Sequence, residues 1–363
     1  MPRRTATLLT STLLLIGLLC AGVLIKVPYA EMSPGPTVNT LGEHDGEPVL
    51  HIEGEETFEA AGHLNMTTVR VTGVDYRMNL LEAVGSWLSD DAAVVPYETL
   101  YPEDVSADQV EEQNAEEFTA SQETAKVAAL EELGFEVGSQ TIVGAVVEDS
   151  PAQGELHAGD AIVAVDGTEV TEPEQVAELV TEHRAGEDVV FTIVPADAVE
   201  AAQESGGELP DETTDVTITT DEAPDDGRAI VGIQAGTSHT FPFEIDIELA
   251  DVGGPSAGLM FALGLIDRLS PGDLTGGAFV AGTGTIDEDG RVGPIGGVSM
   301  KTIAARGAGA EFFLTPEDNC EVAAQDVPDG LTLVEVGTLD DALAALTDIR
   351  EGTTEDLNRC PAG

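Results

Sequence analysis

From Thr5 to Ile25 the chain carries no charged residue, with Arg3 and Arg4 just before the run and Lys26 just after it. In a bilayer such a stretch has one stable state, the helix, because only a helix pairs all of its backbone N–H and C=O groups within one segment. About 20 apolar residues are enough to cross. The two arginines favour the cytoplasmic side, which places everything after Lys26 outside it. Residues 1–30 are therefore expected to be a cytoplasmic stub and a transmembrane signal anchor, giving a single-pass protein of the cell membrane with extracytoplasmic C-terminal domains. A cleaved signal peptide is the alternative, although the run is longer than a usual signal core and lacks a small-x-small site. Cys20 follows bulky Leu19 and reads as a residue of the anchor.

The rest of the 363 residues are strongly acidic: 14 basic against 69 acidic residues leave a formal charge of -55. Nucleic acid is excluded as a partner, since binding it needs basic patches that release counterions. The soluble part should also be repelled by anionic lipid surfaces. Two origins of the acidity stay open, adaptation to high salt and solubilisation of a secreted protein. Cys320 and Cys360 fall in the part facing an oxidising compartment, where a disulfide between them would tie down the C-terminal tail. Two separate buried thiols are the other reading.

Along the chain, residues 31–127 read as a β-rich segment followed by a helical one. "PVLHIEG" and "HLNMTTVRVTGV" alternate as strands do, and "LLEAVGSWL" and "SADQVEEQNAEEFTASQETAKVAALEEL" have helical spacing, the latter with Ser106 as a cap. Beyond Thr141 the order is strand, turn, the strand "AIVAVDG", a helix over 172–183 and the strand "DVVFTIV". The order "SPA…L.AGD.I..VDG..V" within residues 128–225 resembles a bacterial PDZ domain. PDZ domains add extended peptides, often C-termini, to a sheet edge. The triplet Leu133, Gly134 and Phe135 matches the peptide-binding loop of that family, with Val143, Gly144 and Ala145 on the strand after it. Gly134 is equally open to a reading as a helix C-cap. An acidic insertion at 200–214 is expected to be a disordered loop, and "DEAPDDGR" marks a boundary near residue 225.

Residues 226–350 open with the strand-like runs "RAIVGIQAG" and "FEIDIELADV", and then "GGPSAG" precedes a helix over 257–269. Ser256 can be an N-cap there, with backbone N–H groups and the positive end of the helix dipole around it. It can equally be a nucleophile. "GPSAG" fits the G-x-S-x-G elbow of α/β-hydrolases, but that fold needs a histidine later in the chain, and the last of the six is His239. A different base is required. Only three of the basic residues are lysines, Lys26, Lys126 and Lys301. The first sits at the anchor and the second on an acidic helix, so Lys301, on an otherwise small-residue and apolar helix, is the candidate. A lysine serves as base when desolvation lowers its pKa, which an arginine's does not allow.

"GGPSAG" followed by "LTGGAFVAGTGTIDEDGRVGPIGGVSMKTIAARGAGAEFFLTPEDN" resembles the proteolytic domain of Lon proteases, which use a Ser-Lys dyad. The resemblance implies Ser256 as nucleophile, Lys301 as general base and Thr283 as the residue supporting the lysine. It also implies an oxyanion site among the backbone groups of Gly254, Pro255, Ser256 and Ala257. Lon sequences commonly carry an acid where Gly253 stands; Asp251 is nearby, and whether it substitutes stays open. No G-x-x-x-x-G-K-[ST] loop occurs, because "GGVSMKT" has Met300 in place of the second glycine, so no ATP is expected to be used. Anchor, PDZ domain and Lon-type domain without an ATPase together are similar to the YlbL-like family of bacterial membrane proteases, in particular its actinobacterial members.

The resulting expectation is an α+β and α/β multidomain chain that acts as a membrane-anchored serine endopeptidase on extracytoplasmic proteins or peptides. It would work without cofactor or metal, there being no HExxH or cysteine-histidine ligand spacing, and self-association into a homo-oligomer is compatible with it. Residues 351–363 form a C-terminal tail. The alternative from another class is a PDZ scaffold whose Lon-like domain holds partners without cutting them.

Overall fold

A computed structural model describes residues 3–101, 105–204, 209–210, 212–249 and 252–361. The chain divides into two compact units, Met1–Leu133 with Ile245–Gly363, and Gly134–Glu244. In chain order the first contributes α1 (Arg3–Leu24), β1 (Tyr29–Asn39), β2 (His63–Val71), α2 (Leu80–Trp87), β3 (Ala93–Pro96) and α3 (Ala107–Glu132). The second consists of β4 (Gly138–Val146), β5 (Ala161–Val165), α4 (Pro173–Thr181), β6 (Asp188–Val194), α5 (Ala196–Glu204), β7 (Thr214–Thr219) and β8 (Ile233–Thr240). The chain then returns to the first unit with α6 (Gly258–Leu269), β9 (Phe279–Gly282), α7 (Val298–Ala308), β10 (Phe312–Pro316), β11 (Thr332–Val336) and α8 (Leu339–Glu351).

The first unit is built on one six-stranded sheet of order β11-β10-β9-β2-β1-β3. Residues 31–127 are thus not a region apart from the proteolytic part. β9 runs parallel to β2, with Val280 opposite Leu64 and Gly282 opposite Met66, and parallel to β10 on its other side. The Thr67 hydroxyl closes the seam by donating to the Gly282 carbonyl at 3.1 Å. Leu64, Asn65, Met66 and Thr67 are all buried, the continuous run expected of a strand covered on both faces. Gly282 is required in the seam: a Cβ there would stand 2.6 Å from Met260 Sδ and 3.0 Å from Leu314 Cβ.

Helix α6 is apolar around most of its circumference and is the centre of this core: Leu259, Met260, Phe261, Leu263 and Leu265 are fully buried. Phe261 meets Phe118 of α3 edge to face at 5.8 Å. Helix α3 starts where Ser106 accepts the Gln109 N–H and the Gln109 side chain returns to the Ser106 N–H, a complete capping box. It ends at Leu133, and Gly134 follows with φ +78°. Helix α1 is apolar and unburied, and its Thr7–Leu24 portion is long and apolar enough to cross a membrane.

The second unit holds an antiparallel sheet of order β7-β6-β5-β4-β8 over a core of Val143, Ile162, Val165, Val189 and Phe191. β8 pairs with β4 along its length, from Ile233 opposite Val146 to Thr240 opposite Gly138. This corrects the boundary expected near residue 225, because the run "RAIVGIQAG" completes this sheet and does not open the next domain. Of the insertion expected at 200–214, residues 200–204 are the end of α5 and Thr214 begins β7, while 205–208 and 211 lie outside the described residues.

Cys320 and Cys360 form a disulfide across 40 residues, and the tail is further held where the Glu335 N–H donates to the Asn358 carbonyl at 2.8 Å. Closing a loop of that length is worth about 4 kcal/mol in the chain-entropy model. The Cys320→Ser/Cys360→Ser double variant is therefore expected to lose about 2–4 kcal/mol in denaturant unfolding, and an unchanged midpoint would show that the tail adds nothing to the fold.

Candidate active site

The loop before α6 is fixed from α3. The Gly254 N–H donates to the Asn114 carbonyl at 2.9 Å, and the Ser121 hydroxyl donates to the Pro255 carbonyl at 3.0 Å. Gly254 sits at φ +82°, a conformation that glycine adopts without strain. At Gly253 a Cβ would stand 3.1 Å from Asn114 Cβ. A side chain at this position, an acid's included, would crowd α3. Asp251, the substitute considered for that acid, lies outside the described residues.

Helix α6 begins at Gly258 with Ala257 as its cap residue, and no side chain caps it. The Ser256 hydroxyl therefore does not take the N-cap role open to it. Instead it accepts a hydrogen bond from Lys301 Nζ at 2.6 Å across a sequence separation of 45. Lys301 Nζ also donates to Thr283 Oγ1 at 2.9 Å, and Thr283 Oγ1 donates to the Ser256 carbonyl at 2.9 Å. The same carbonyl accepts the Gly284 N–H at 3.0 Å. The three residues form a closed ring in which one threonine holds the lysine and the serine backbone together.

Lys301 is only 2% exposed, and Met300 and Thr302 beside it are buried as well. Burial removes the ammonium from water, and this pushes its pKa down to about 7. Helix α7 delivers it by starting at Gly297, φ +70°, where a Cβ would stand 2.8 Å from Met32 Cε and 2.9 Å from Val69 Cγ1. Only a glycine lets the helix start so close to β1 and β2.

Among the four residues of the expected oxyanion site, two drop out. The Gly254 N–H is already used by Asn114, and Pro255 has none. Ser256 and Ala257 keep backbone N–H groups without an acceptor among the described residues, at the N-terminal end of α6. A cleft of about 560 Å³, lined by Val74, Tyr101, Val110, Asn114, Val252 and Gly253, opens beside this loop. The one cluster of metal-ligand atoms among the described residues is Cys320, Glu335 and Cys360, two of which are joined in the disulfide.

Leu133, Gly134 and Phe135, expected as a peptide-binding loop, do not line a groove among the described residues. Leu133 caps α3, Gly134 is the residue after the cap, and Phe135 packs edge to face on Phe243. Val143, Gly144 and Ala145 belong to β4, which is hydrogen-bonded to β5 on one side and β8 on the other and has no free edge. The strands at the two ends of the sheet are β7 and β8, and β8 is the one beside α4. Between it and α4 runs a groove of about 370 Å³, lined by Val176, Val180, Arg228, Val231, Gly232 and Ile233. Val231 and Gly232 have backbone N–H groups with no acceptor among the described residues. Gly232 sits at φ +79°, and a Cβ there would fall 2.2 Å from Ser150 Cβ. Val231-Gly232-Ile233 is also an apolar-Gly-apolar triplet, three residues after Arg228.

Residues 250–348 match the family model of the Lon protease (S16) C-terminal proteolytic domain, and residues 113–202 match that of the PDZ domain. The chain is similar to the Lon protease of Lachnoclostridium phytofermentans, with 37% identity over 93 residues, covering 25% of this chain and 11% of that protein. It is similar also to Lon protease 1 of Bacillus subtilis, with 39% identity over 97 residues, covering 25% of this chain and 12% of that protein. Among solved structures, the PDZ domain of an SdrC-like protein from Listeria innocua aligns over 28% of this chain and 99% of that one, with 22% identity and a TM-score of 0.21. The chain thus spans little more than a tenth of the length of these Lon proteases. It joins a PDZ domain to a C-terminal proteolytic domain of the Lon serine-peptidase type.

Proposed function

We propose that this protein is a membrane-anchored endopeptidase that cleaves extracytoplasmic proteins with Ser256 as nucleophile and Lys301 as general base. The observation that carries the reading is the 2.6 Å contact between the serine hydroxyl and a lysine amine that burial brings to a pKa of about 7. At that pKa a useful fraction of the amine is neutral at physiological pH and still basic enough to accept a proton.

In the forward step neutral Lys301 Nζ takes the Ser256 Oγ proton while Oγ bonds to the scissile carbonyl carbon. The oxyanion that forms is stabilised by the Ser256 and Ala257 N–H groups and by the end of the α6 dipole. Lys301 then passes the proton to the leaving amine as the C–N bond breaks, which leaves an ester on Ser256. Water, deprotonated by the same amine, hydrolyses that ester. Thr283 positions Lys301 and the Ser256 backbone and is not itself consumed. The chain's own residues supply no nucleotide-binding loop, so substrates are flexible segments that enter the cleft beside Gly253 without an unfoldase.

The groove between α4 and β8 selects those substrates by strand addition, with Val231 and Gly232 N–H groups receiving a terminal carboxylate. On this reading the combination of anchor, PDZ domain and Lon-type domain is that of a YlbL-like membrane protease.

Three measurements test the reading. With an unfolded protein and no nucleotide, the intact chain is expected to give peptide products by mass spectrometry, and Ser256→Ala and Lys301→Ala are expected to cut at least ~10³-fold more slowly. Equal cleavage by Lys301→Arg would refute the dyad, because a guanidinium stays charged.

The pH profile has a fixed sign. kcat/KM should rise through about pH 7 as Lys301 loses its proton, and a flat profile from pH 6 to 8, on the order of one unit either side of that pKa, contradicts the assignment.

Stability moves with it. The lysine pKa is about 7 in the fold against 10.5 ordinarily, so the burial cost is complete below pH 7 and disappears above 10.5. Lys301→Met should therefore be inactive yet more stable at pH 7, on the order of a few kcal/mol, with the difference closing as pH approaches 10.5.

A further inference from the structure

Helix α2 presents an apolar face that the rest of the unit leaves largely exposed. Leu80, Leu81, Val84, Trp87 and Leu88 are spaced so as to share one face, and they are 39, 37, 43, 74 and 71% exposed. Trp87 is the only tryptophan in the chain. Between Asn79 and Ser89 there is a single charged residue, Glu82, in a protein where 23% of residues are charged. That one carboxylate is occupied, accepting the Asn79 N–H and the Tyr76 hydroxyl, both at 2.8 Å.

The position of α2 relative to α1 says what covers this face. The Leu80 N–H donates to the Ile25 carbonyl at 2.9 Å, and Lys26 bridges to Asn79. Leu81 packs over Gly22, where a Cβ would stand 2.8 Å from Leu81 Cγ. Gly22 lies one turn inside the apolar end of α1, so α2 is held at the level where a spanning α1 leaves the hydrocarbon. Around the same level the side chains change character as a membrane boundary does. Tyr29 and Tyr76 are 41 and 47% exposed, and Lys26 Nζ donates to the Arg77 carbonyl at 2.8 Å beneath the Tyr76 ring. Aromatic side chains favour the headgroup level, and cations reach up to the phosphates. A chain of formal charge -55 meets lipid favourably only where its acids stand aside, and the face of Leu80, Val84, Trp87 and Leu88 carries none, with Asp90 and Asp91 following beyond its end.

We infer that α2 is an interfacial helix, lying in the headgroup and acyl boundary of the bilayer that α1 crosses, with Leu80, Val84, Trp87 and Leu88 inserted among the lipid chains. The inference rests on the reading of α1 as a retained anchor. Its consequence is a second, non-spanning membrane contact that fixes the proteolytic unit against the surface rather than leaving it on a swivel.

Trp87, being unique, is the probe. The full chain is incorporated into phosphatidylcholine vesicles whose acyl chains carry bromine at a shallow or a deep carbon, and separated by flotation before fluorescence is read. The expected result is that the chain floats and that shallow bromines quench Trp87 emission at least twofold, more than deep ones do, while iodide in the aqueous phase quenches little. If the chain floats but iodide quenches Trp87 and bromine does not, α2 is in water and the inference is wrong while the anchor stands. If Trp87 is shielded from both quenchers, protein covers the face and the inference is equally wrong. If the chain does not float, the anchor reading fails and takes this one with it.

Discussion

An amino group held out of water is the constraint on which the proteolytic unit is arranged. A buried ammonium is costly, and the fold does not relieve the cost with a carboxylate: the partners that reach Lys301 Nζ among the described residues are two hydroxyls, Ser256 Oγ and Thr283 Oγ1. A carboxylate in that place would restore the pKa and with it the proton. Each neighbouring element answers the same need. α7 starts at a glycine so that it can approach β1 and β2, β9 ends just before Thr283, and α6 fills the interior with apolar side chains.

The serine is positioned by a different set of forces. Its loop hangs from α3 by two hydrogen bonds, and α3 is itself a long acidic helix with a capped start. Hydrogen-bonded backbone fixes Ser256 and desolvation lowers the pKa of Lys301, and the two meet through the Ser256 carbonyl, which Thr283 and Gly284 both hold.

Much of this site was legible because its chemistry is scarce in the sequence. With three lysines and no histidine after His239, the search for a base had one answer, and the glycines around Ser256 announced a tight approach. Local patterns were legible too: the Ser106 cap, the strand "DVVFTIV" and the apolar helix after the serine all stand where their periodicity puts them. What local pattern could not carry was partnership between distant strands. Nothing in "HLNMTTVRV" says that it pairs with "FVAG", and nothing in "RAIVGIQAG" says which sheet it completes. That second ambiguity bears on the apolar-Gly-apolar triplets as well, since such a triplet is common and only its place in the sheet distinguishes one from another. That the Gly254 N–H is already taken was not legible for a related reason, since its acceptor is the carbonyl of Asn114, far away in sequence.

The seam between β2 and β9 joins residues 215 positions apart, with the whole second unit made between them. Pairings of this kind form late, after the intervening chain has been synthesised and folded. A growing chain therefore exposes the Ser256 hydroxyl before Lys301 exists, and Lys301 before the sheet that dries it has closed. During that interval the lysine is an ordinary solvated cation and the serine an ordinary alcohol. The order of synthesis thus keeps the two side chains from their shared contact until the strands around them have paired.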